Sequence, residues 1–276
     1  MIVDTHCHSW RRGDGFPVRI RTRVAALNAD FPFPPAGFAQ AGVDKAVLVS
    51  AAQSPDETEA LFALADANPI TVLAVIGFLD PFASDFATRL AAWRRRPVFR
   101  GLRLPLVVFD DPAWIETPPV LKALDALNDA GLIAEILVEA QHLDAVHRVL
   151  TARPNLAAII DHAANPPARR GPDFDAWREK IALIARDTDA ICKFGDLRNG
   201  GAAPPADDVA VEIVGHVARH FGNRRLIAGS NWPVAGVDGD PYGAAFVRLR
   251  SFARATGLEE PALFADNALR FFGRTT

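Results

Sequence analysis

A closed (β/α)8 barrel of the α/β class is the fold this sequence predicts. Eight short runs with strand character recur along the 276 residues, a helical pattern follows each, and the strand bodies are nearly pure aliphatic. Continuous apolar strands alternating with helices mark a parallel sheet covered on both faces. Eight such units suffice to close it, which puts the working end at the carboxyl ends of the strands. An open doubly wound sheet would want a glycine-rich phosphate turn after an early strand, and the chain has none. One barrel domain spanning 1–276 is expected.

The first strand is Met1-Ile2-Val3-Asp4-Thr5-His6-Cys7-His8. Side chains two apart on a strand share a face, so His6 and His8 are expected to point together, with Asp4 beneath them. Paired imidazoles are poor core material and good metal ligands. A polar, arginine-rich loop over 10–23 follows, then a short helix and a proline-rich stretch at 31–35. The next strand covers 45–50. Its helix opens at Ser54-Pro55-Asp56-Glu57, with serine as N-cap, proline at the first position and acids in the first turn. Strands then fall at 70–79, 98–104, 132–138, 156–160, 190–194 and 225–228. Helices fall at 84–95, from Pro118 to Gly131, and at 141–151, 174–186, 207–220, 242–256 and 261–271.

Composition narrows the function. A formal charge of −3 gives no broad electrostatic case for nucleic acid or an anionic membrane. No apolar run approaches the ~18 residues of a membrane span, and the start lacks a basic region followed by an apolar one. Cys7 and Cys192 both fall in predicted strands and suggest no disulfide framework. A cytoplasmic protein acting on a small molecule is expected, and the sequence leaves homo-oligomerisation open.

Polar residues gather where the strands end. His6 and His8 leave the first strand, Arg103 the fourth, Asp161 and His162 the sixth. Glu135 lies within the fifth strand and Glu139 just past it. Lys193 and Asp196 lie at the seventh, and Ser230-Asn231-Trp232-Pro233 leaves the eighth. Charged groups are rarely buried unless paired or used, so this is the pattern of a polar site on an apolar barrel. His147, His216 and His220 sit on helical patterns and are expected to be solvated. Arg103 is expected either to bind a substrate carboxylate or lactone oxygen, or to pair with a carboxylate such as Glu135. Lys193 is assigned the same substrate-binding role, and Trp232 either stacks on a ring substrate or caps the barrel.

The motifs Asp4-Thr5-His6-Cys7-His8, Gly101-Leu102-Arg103, Ile160-Asp161-His162, Lys193-Phe194-Gly195, Gly229-Ser230-Asn231-Trp232-Pro233 and Asn267-Ala268 run in order along the chain. In them the sequence resembles the amidohydrolase superfamily, within it the branch of sugar-lactone hydrolases and the pyrone-dicarboxylate lactonase. The resemblance implies a distorted (β/α)8 barrel that hydrolyses a cyclic ester. Several relatives use a divalent metal, and some lactonases of this branch work without one.

One departure matters. The position that resembles the family's general base is Asp in Gly-Ser-Asp-Trp-Pro, and here it is Asn231; a variant with Asn and an aromatic-Pro pair also occurs in the family. A neutral amide cannot take a proton from water near pH 7. A strand-five histidine of many metal-dependent relatives is also missing, since His142 is expected to start a helix. The implied ligand set is His6, His8 and His162, which would hold zinc or manganese with an open water position. No organic cofactor is implied. The expected chemistry is water attack on a lactone or related ester. Arg103 or Lys193 stabilises the oxyanion, and His6, His8 or His162 serves as base where Asn231 does not. The substrate is expected to be anionic or polyhydroxylated. Two alternatives remain: a metal-dependent non-oxidative decarboxylase of an aromatic or unsaturated acid, and a non-catalytic barrel that binds a small acid.

Overall fold

The computed structural model describes residues 1–195, 197 and 203–273. Among them the strands are β1 (Val3–Cys7), β2 (Lys45–Val49), β3 (Val72–Gly77), β4 (Phe99–Pro105), β5 (Ile133–Leu137), β6 (Ala158–Ile160), β7 (Ile191–Phe194) and β8 (Leu226–Ala228). They form one sheet in sequence order, each neighbouring pair parallel. The segment after β8 closes the ring onto β1. Asn231 N–H donates to His6 O at 2.9 Å and His8 N–H to Trp232 O at 2.8 Å. The strands are shorter than predicted because apolar residues outlast the ladder: Ile70, expected in a strand, is 81% exposed and precedes β3.

The helices are α1 (Ile20–Arg23), α2 (Pro35–Ala41), α3 (Pro55–Ala67), α4 (Phe86–Trp93), α5 (Pro118–Asp129), α6 (Leu143–Thr151), α7 (Pro172–Asp187), α8 (Asp207–Phe221), α9 (Ala244–Thr256) and α10 (Asn267–Phe272). α3 starts as its sequence dictates, with Pro55 at the first position and Ser54 Oγ accepting from Asp56 N–H at 3.2 Å. Among the described residues no helix is long and apolar enough to cross a membrane.

Strand alternation divides the core in two. Val47, Val49, Ala74, Ile76, Ile133, Ile159, Ile191 and Ile227 fill the barrel interior, closed below by Ala268 and Phe272 of α10. Their neighbours, such as Ala46, Leu48, Val75, Ala134, Ile136, Ile160 and Cys192, pack outward under the helices. Counting two residues on from the interior layer therefore reaches Glu135, Asp161 and Lys193. The apolar plug and the charged layer above it share one face of the same strands.

β1 breaks this parity. Asp4 pairs with Ala46 and Cys7 with Leu48, so β1 spends one residue more than β2 over the same span. That bulge turns His6 to the interior while Asp4 stays on the outer side. The expectation that Asp4 lies beneath the two histidines is thereby corrected. Its carboxylate instead accepts from Ser230 N–H at 2.7 Å, Ser230 Oγ at 2.6 Å and Tyr242 Oη at 2.6 Å, which ties β1 to the β8 exit. His216 is also corrected: it is buried between α7 and α8, with Nε2 2.9 Å from Arg178 O.

Candidate active site

Above the apolar plug lies a buried charge cluster. Lys193 Nζ donates to Glu135 Oε2 at 2.5 Å and lies 3.4 Å from Asp161 Oδ1. Arg103 Nε donates to the other oxygen of Asp161 at 3.2 Å, and its Nη1 to Ser50 O at 3.0 Å. Arg103 thus pairs with Asp161, not Glu135 as the sequence suggested; Glu135 belongs to Lys193. His6 stands in the middle. Its Nδ1 is 3.3 Å from Lys193 Nζ, 3.4 Å from Glu135 Oε1 and 3.5 Å from Asp161 Oδ1, and its Nε2 is 3.1 Å from His8 Nε2.

Burial governs the protonation states. It holds the His6 imidazole down to about 3, with Lys193 adding to the effect and Asp161 opposing it. His8 and His162 are held well below the ordinary range by the same loss of solvent. All three rings are neutral near pH 7 and offer lone pairs. Burial alone would raise Asp161, but Lys193, His6 and Arg103 outweigh it and keep the carboxyl well below its usual range. Glu135 moves up, through burial and then Asp161, despite Lys193.

The cluster opens on a cavity of about 260 Å³. His8, Trp10, Arg103, His162, Asn165 and Asn231 form its buried wall, and Arg19, Arg23, Gln53 and Glu139 its more exposed one. His8 is the best-defined base there. Val49 O lies 2.7 Å from its Nδ1, and a carbonyl only accepts, so Nδ1 carries the proton and Nε2 carries the lone pair, with His6 Nε2 3.1 Å beside it. The β2 exit that supplies this carbonyl is itself held by Glu57, whose carboxylate accepts from Ser50 Oγ, from Ala51 N–H at 2.9 Å and from Ala52 N–H at 2.8 Å. Burial pushes Glu57 up to about 7 against these donors.

His162 reaches the cavity by an unusual route. After β6 the chain makes a left-handed turn, with φ of 49° at His162, 52° at Ala163, 61° at Ala164 and 46° at Asn165. Residues with a Cβ pay roughly 1–2 kcal/mol each in this region. Gly195 makes room for the ring: a Cβ there would stand 2.4 Å from His162 Nδ1.

Of the residues predicted for the site, His8, Arg103, His162 and Asn231 line the cavity, and His6 supports them from behind. Lys193 does not reach it. It is mid-strand, fully buried, and committed to Glu135, which removes the expected direct contact with substrate. Trp232 is also absent from the wall and packs against Tyr242 and Phe31, at 5.7 and 6.0 Å between ring centroids. Asp196 lies outside the described residues. Trp10, Gln53, Asn165 and Glu57 do not stand out in the sequence as site residues. Glu57 carried a signal, a first-turn acid after a capped start, but it read as part of the helix start.

His6, Asp161 and His162 are close enough to share one metal ion, their ligand atoms lying within 4.8 Å of one another. Asp161 thus joins the expected imidazoles, with His8 adjoining through His6. The donors suit a divalent ion in type, and each of Asp161 and His162 has a buried atom, Oδ1 and Nδ1, with no hydrogen-bond partner among the described residues. Arg103 and Lys193 lie against the same carboxylate and would compete with an ion for it.

A family model described as Amidohydrolase matches residues 3–274. The chain belongs to the amidohydrolase family. Within reach of this family member stands an L-fucono-1,5-lactonase from Burkholderia ambifaria, 33% identical over 98% of this chain and 94% of that protein. An amidohydrolase from Burkholderia multivorans, solved with bound zinc, superposes with a TM-score of 0.88 at 22% identity, over 100% of both chains. A probable 2-pyrone-4,6-dicarboxylic acid hydrolase from Acinetobacter baumannii, with citric acid bound, gives 0.79 at 17% identity over 99% of both. At these identities the solved structures show the barrel fold alone.

Proposed function

We propose that the protein is a lactonase that hydrolyses a sugar lactone at the barrel mouth. The observation that carries this reading is His8: a neutral imidazole on the cavity wall, its tautomer set by Val49 O, beside the cation of Arg103 and the amide of Asn231. The likeness to an L-fucono-1,5-lactonase supports the substrate class.

Water attacks the lactone carbonyl and gives its proton to His8 Nε2. Negative charge gathers on the carbonyl oxygen, where Arg103 and the Asn231 amide face the cavity. The ring C–O bond then breaks, and the leaving alkoxide takes the proton back, which gives the open hydroxy acid and restores neutral His8. Val49 O holds His8 in line, His6 packs beside it, and Lys193, Glu135 and Asp161 fix His6. Trp10 and the apolar residues beside it keep one side of the cavity dry. A divalent ion, zinc or manganese, would be held by His6, Asp161 and His162 and would supply Lewis acidity. The base assignment rests on His8, so Asn231 need not supply the carboxylate of its relatives.

The test is acid release from L-fucono-1,5-lactone, other sugar lactones and carboxylated cyclic esters, followed by pH-stat. His8→Gln should lower kcat by ~10²–10⁴-fold with folding intact. Wild-type protein inert to every lactone would sink the proposal, and release of CO2 from an unsaturated acid would favour decarboxylation.

A further inference from the structure

The left-handed turn that delivers His162 is held from outside the site, and the geometry points to Trp177 of α7 as the positioning residue that holds it. The argument starts from the sequence of the turn. His162, Ala163, Ala164 and Asn165 all have positive φ, and the two alanines in the middle belong to a type that rarely visits this region. Both alanines would relax toward the right-handed region if released, and that rotation would swing the His162 ring off the cavity wall.

Something must hold the turn. Asn165 grips its far end, with N–H donating to His162 O at 2.9 Å and Nδ2 to Val138 O at 2.8 Å. The middle is gripped at its carbonyl, where Trp177 Nε1–H donates to Ala163 O at 2.8 Å, while the Ala163 N–H turns to the buried Cys192 thiol. Trp177 is fully buried, and its ring packs on Phe174 and His216, at 5.5 and 5.7 Å between centroids. The indole therefore has a fixed seat, and its one donor reaches the peptide between two strained residues. Strain at a site persists only where the surroundings over-determine it, and this bond is the tie that holds the Ala163 carbonyl in the strained turn. The inference takes from the lactonase reading only that His162 belongs at the reacting end.

Trp177→Phe keeps most of the ring packing and removes the donor. We measure the His162 imidazole resonances by long-range ¹⁵N NMR, lactone hydrolysis, and the melting curve. The substitution should shift or broaden the His162 signals and lower kcat by about 10-fold or more, with KM within about twofold, as expected for a misplaced group near the chemistry. The decisive variant is Trp177→Phe with Ala163→Gly. Glycine enters the left-handed region as readily as the right-handed one, so the turn no longer needs the tie, and the His162 signals and kcat should return toward wild type. Recovery of folding by the double variant, where the single one fails to fold, supports the inference equally. Unchanged His162 signals in Trp177→Phe overturn it. So does damage that Ala163→Gly leaves unrepaired, or a double variant that does not fold, since Trp177 then acts by packing alone. A wild-type protein inert to lactones ends the lactonase reading, and the ring signals still decide this one.

Discussion

Replacing Gly195 with alanine adds one methyl group beside β7 and tests whether the placement of His162 is functional. The backbone at Gly195 is not in the left-handed region, so alanine is accepted locally and only the new Cβ matters. That atom would lie 2.4 Å from His162 Nδ1 and 2.9 Å from Cε1, whereas ordinary contacts begin at 3.4 Å. The imidazole must therefore retreat by about 1 Å, a misplacement worth roughly 10²-fold in rate when it falls on a reacting group. It has little freedom to recover, because the turn carrying it is tied at Ala163 and Asn165. Overpacking of this kind costs about 1–3 kcal/mol of stability, which a barrel of ordinary stability survives. Gly215→Ala is the control: in α8 its Cβ would meet Thr256 Cγ2 at 3.5 Å, an ordinary contact. Both variants are compared by pH-stat kinetics on sugar lactones and by thermal melting. Near wild-type kcat/KM in folded Gly195→Ala would refute the assignment of His162 to the reacting end. A loss equal to that of Gly215→Ala would do the same.

Acid should act on stability before it acts on the base. The unfolded chain takes up a proton on His6 below the ordinary histidine value of 6.5, the folded one only near 3. Stability present above 6.5 is therefore lost as pH falls toward 3, by about 3 kcal/mol at roughly pH 4 from this group alone, and urea unfolding at neutral and acid pH measures it. Because His8 is held well below the ordinary range, kcat/KM should show no inflection near pH 6.5; an ordinary histidine limb there would contradict the environment assigned to it. Arg103→Lys keeps the charge but not the three-way grip on Asp161, Ser50 O and His6. It should lower kcat more than it raises KM and cost about 1–3 kcal/mol in thermal unfolding, and an unaffected kcat would remove Arg103 from the oxyanion. Asn231→Asp should lower kcat about 10-fold or more, because a fixed anion on the cavity wall competes with the oxyanion for Arg103. A large gain, most tellingly with added zinc, would show instead that the site lacks the carboxylate base of its relatives.

The sequence by itself determined the repeating strand–helix order, the closure at eight strands, and the gathering of polar residues where strands end. These are local quantities: periodicity, capping and the rule that an aliphatic strand must be covered on both faces. It also singled out His6, His8, Arg103, His162 and Asn231, because such residues stand out against aliphatic neighbours. Tertiary structure alone decided how they are used. One extra residue in β1 reverses the face of His6 relative to Asp4, and only pairing with β2 reveals it. Whether Arg103 meets Glu135 or Asp161 depends on reach across neighbouring strands, and Lys193 could be told from a cavity cation only by depth. Trp10, Glu57, Asn165 and Trp177 act on the site from loops and helices whose own patterns read as ordinary packing or capping. Their roles arise from contacts between residues up to tens of positions apart, and no local pattern encodes a contact whose partner is set by the closure of the whole barrel.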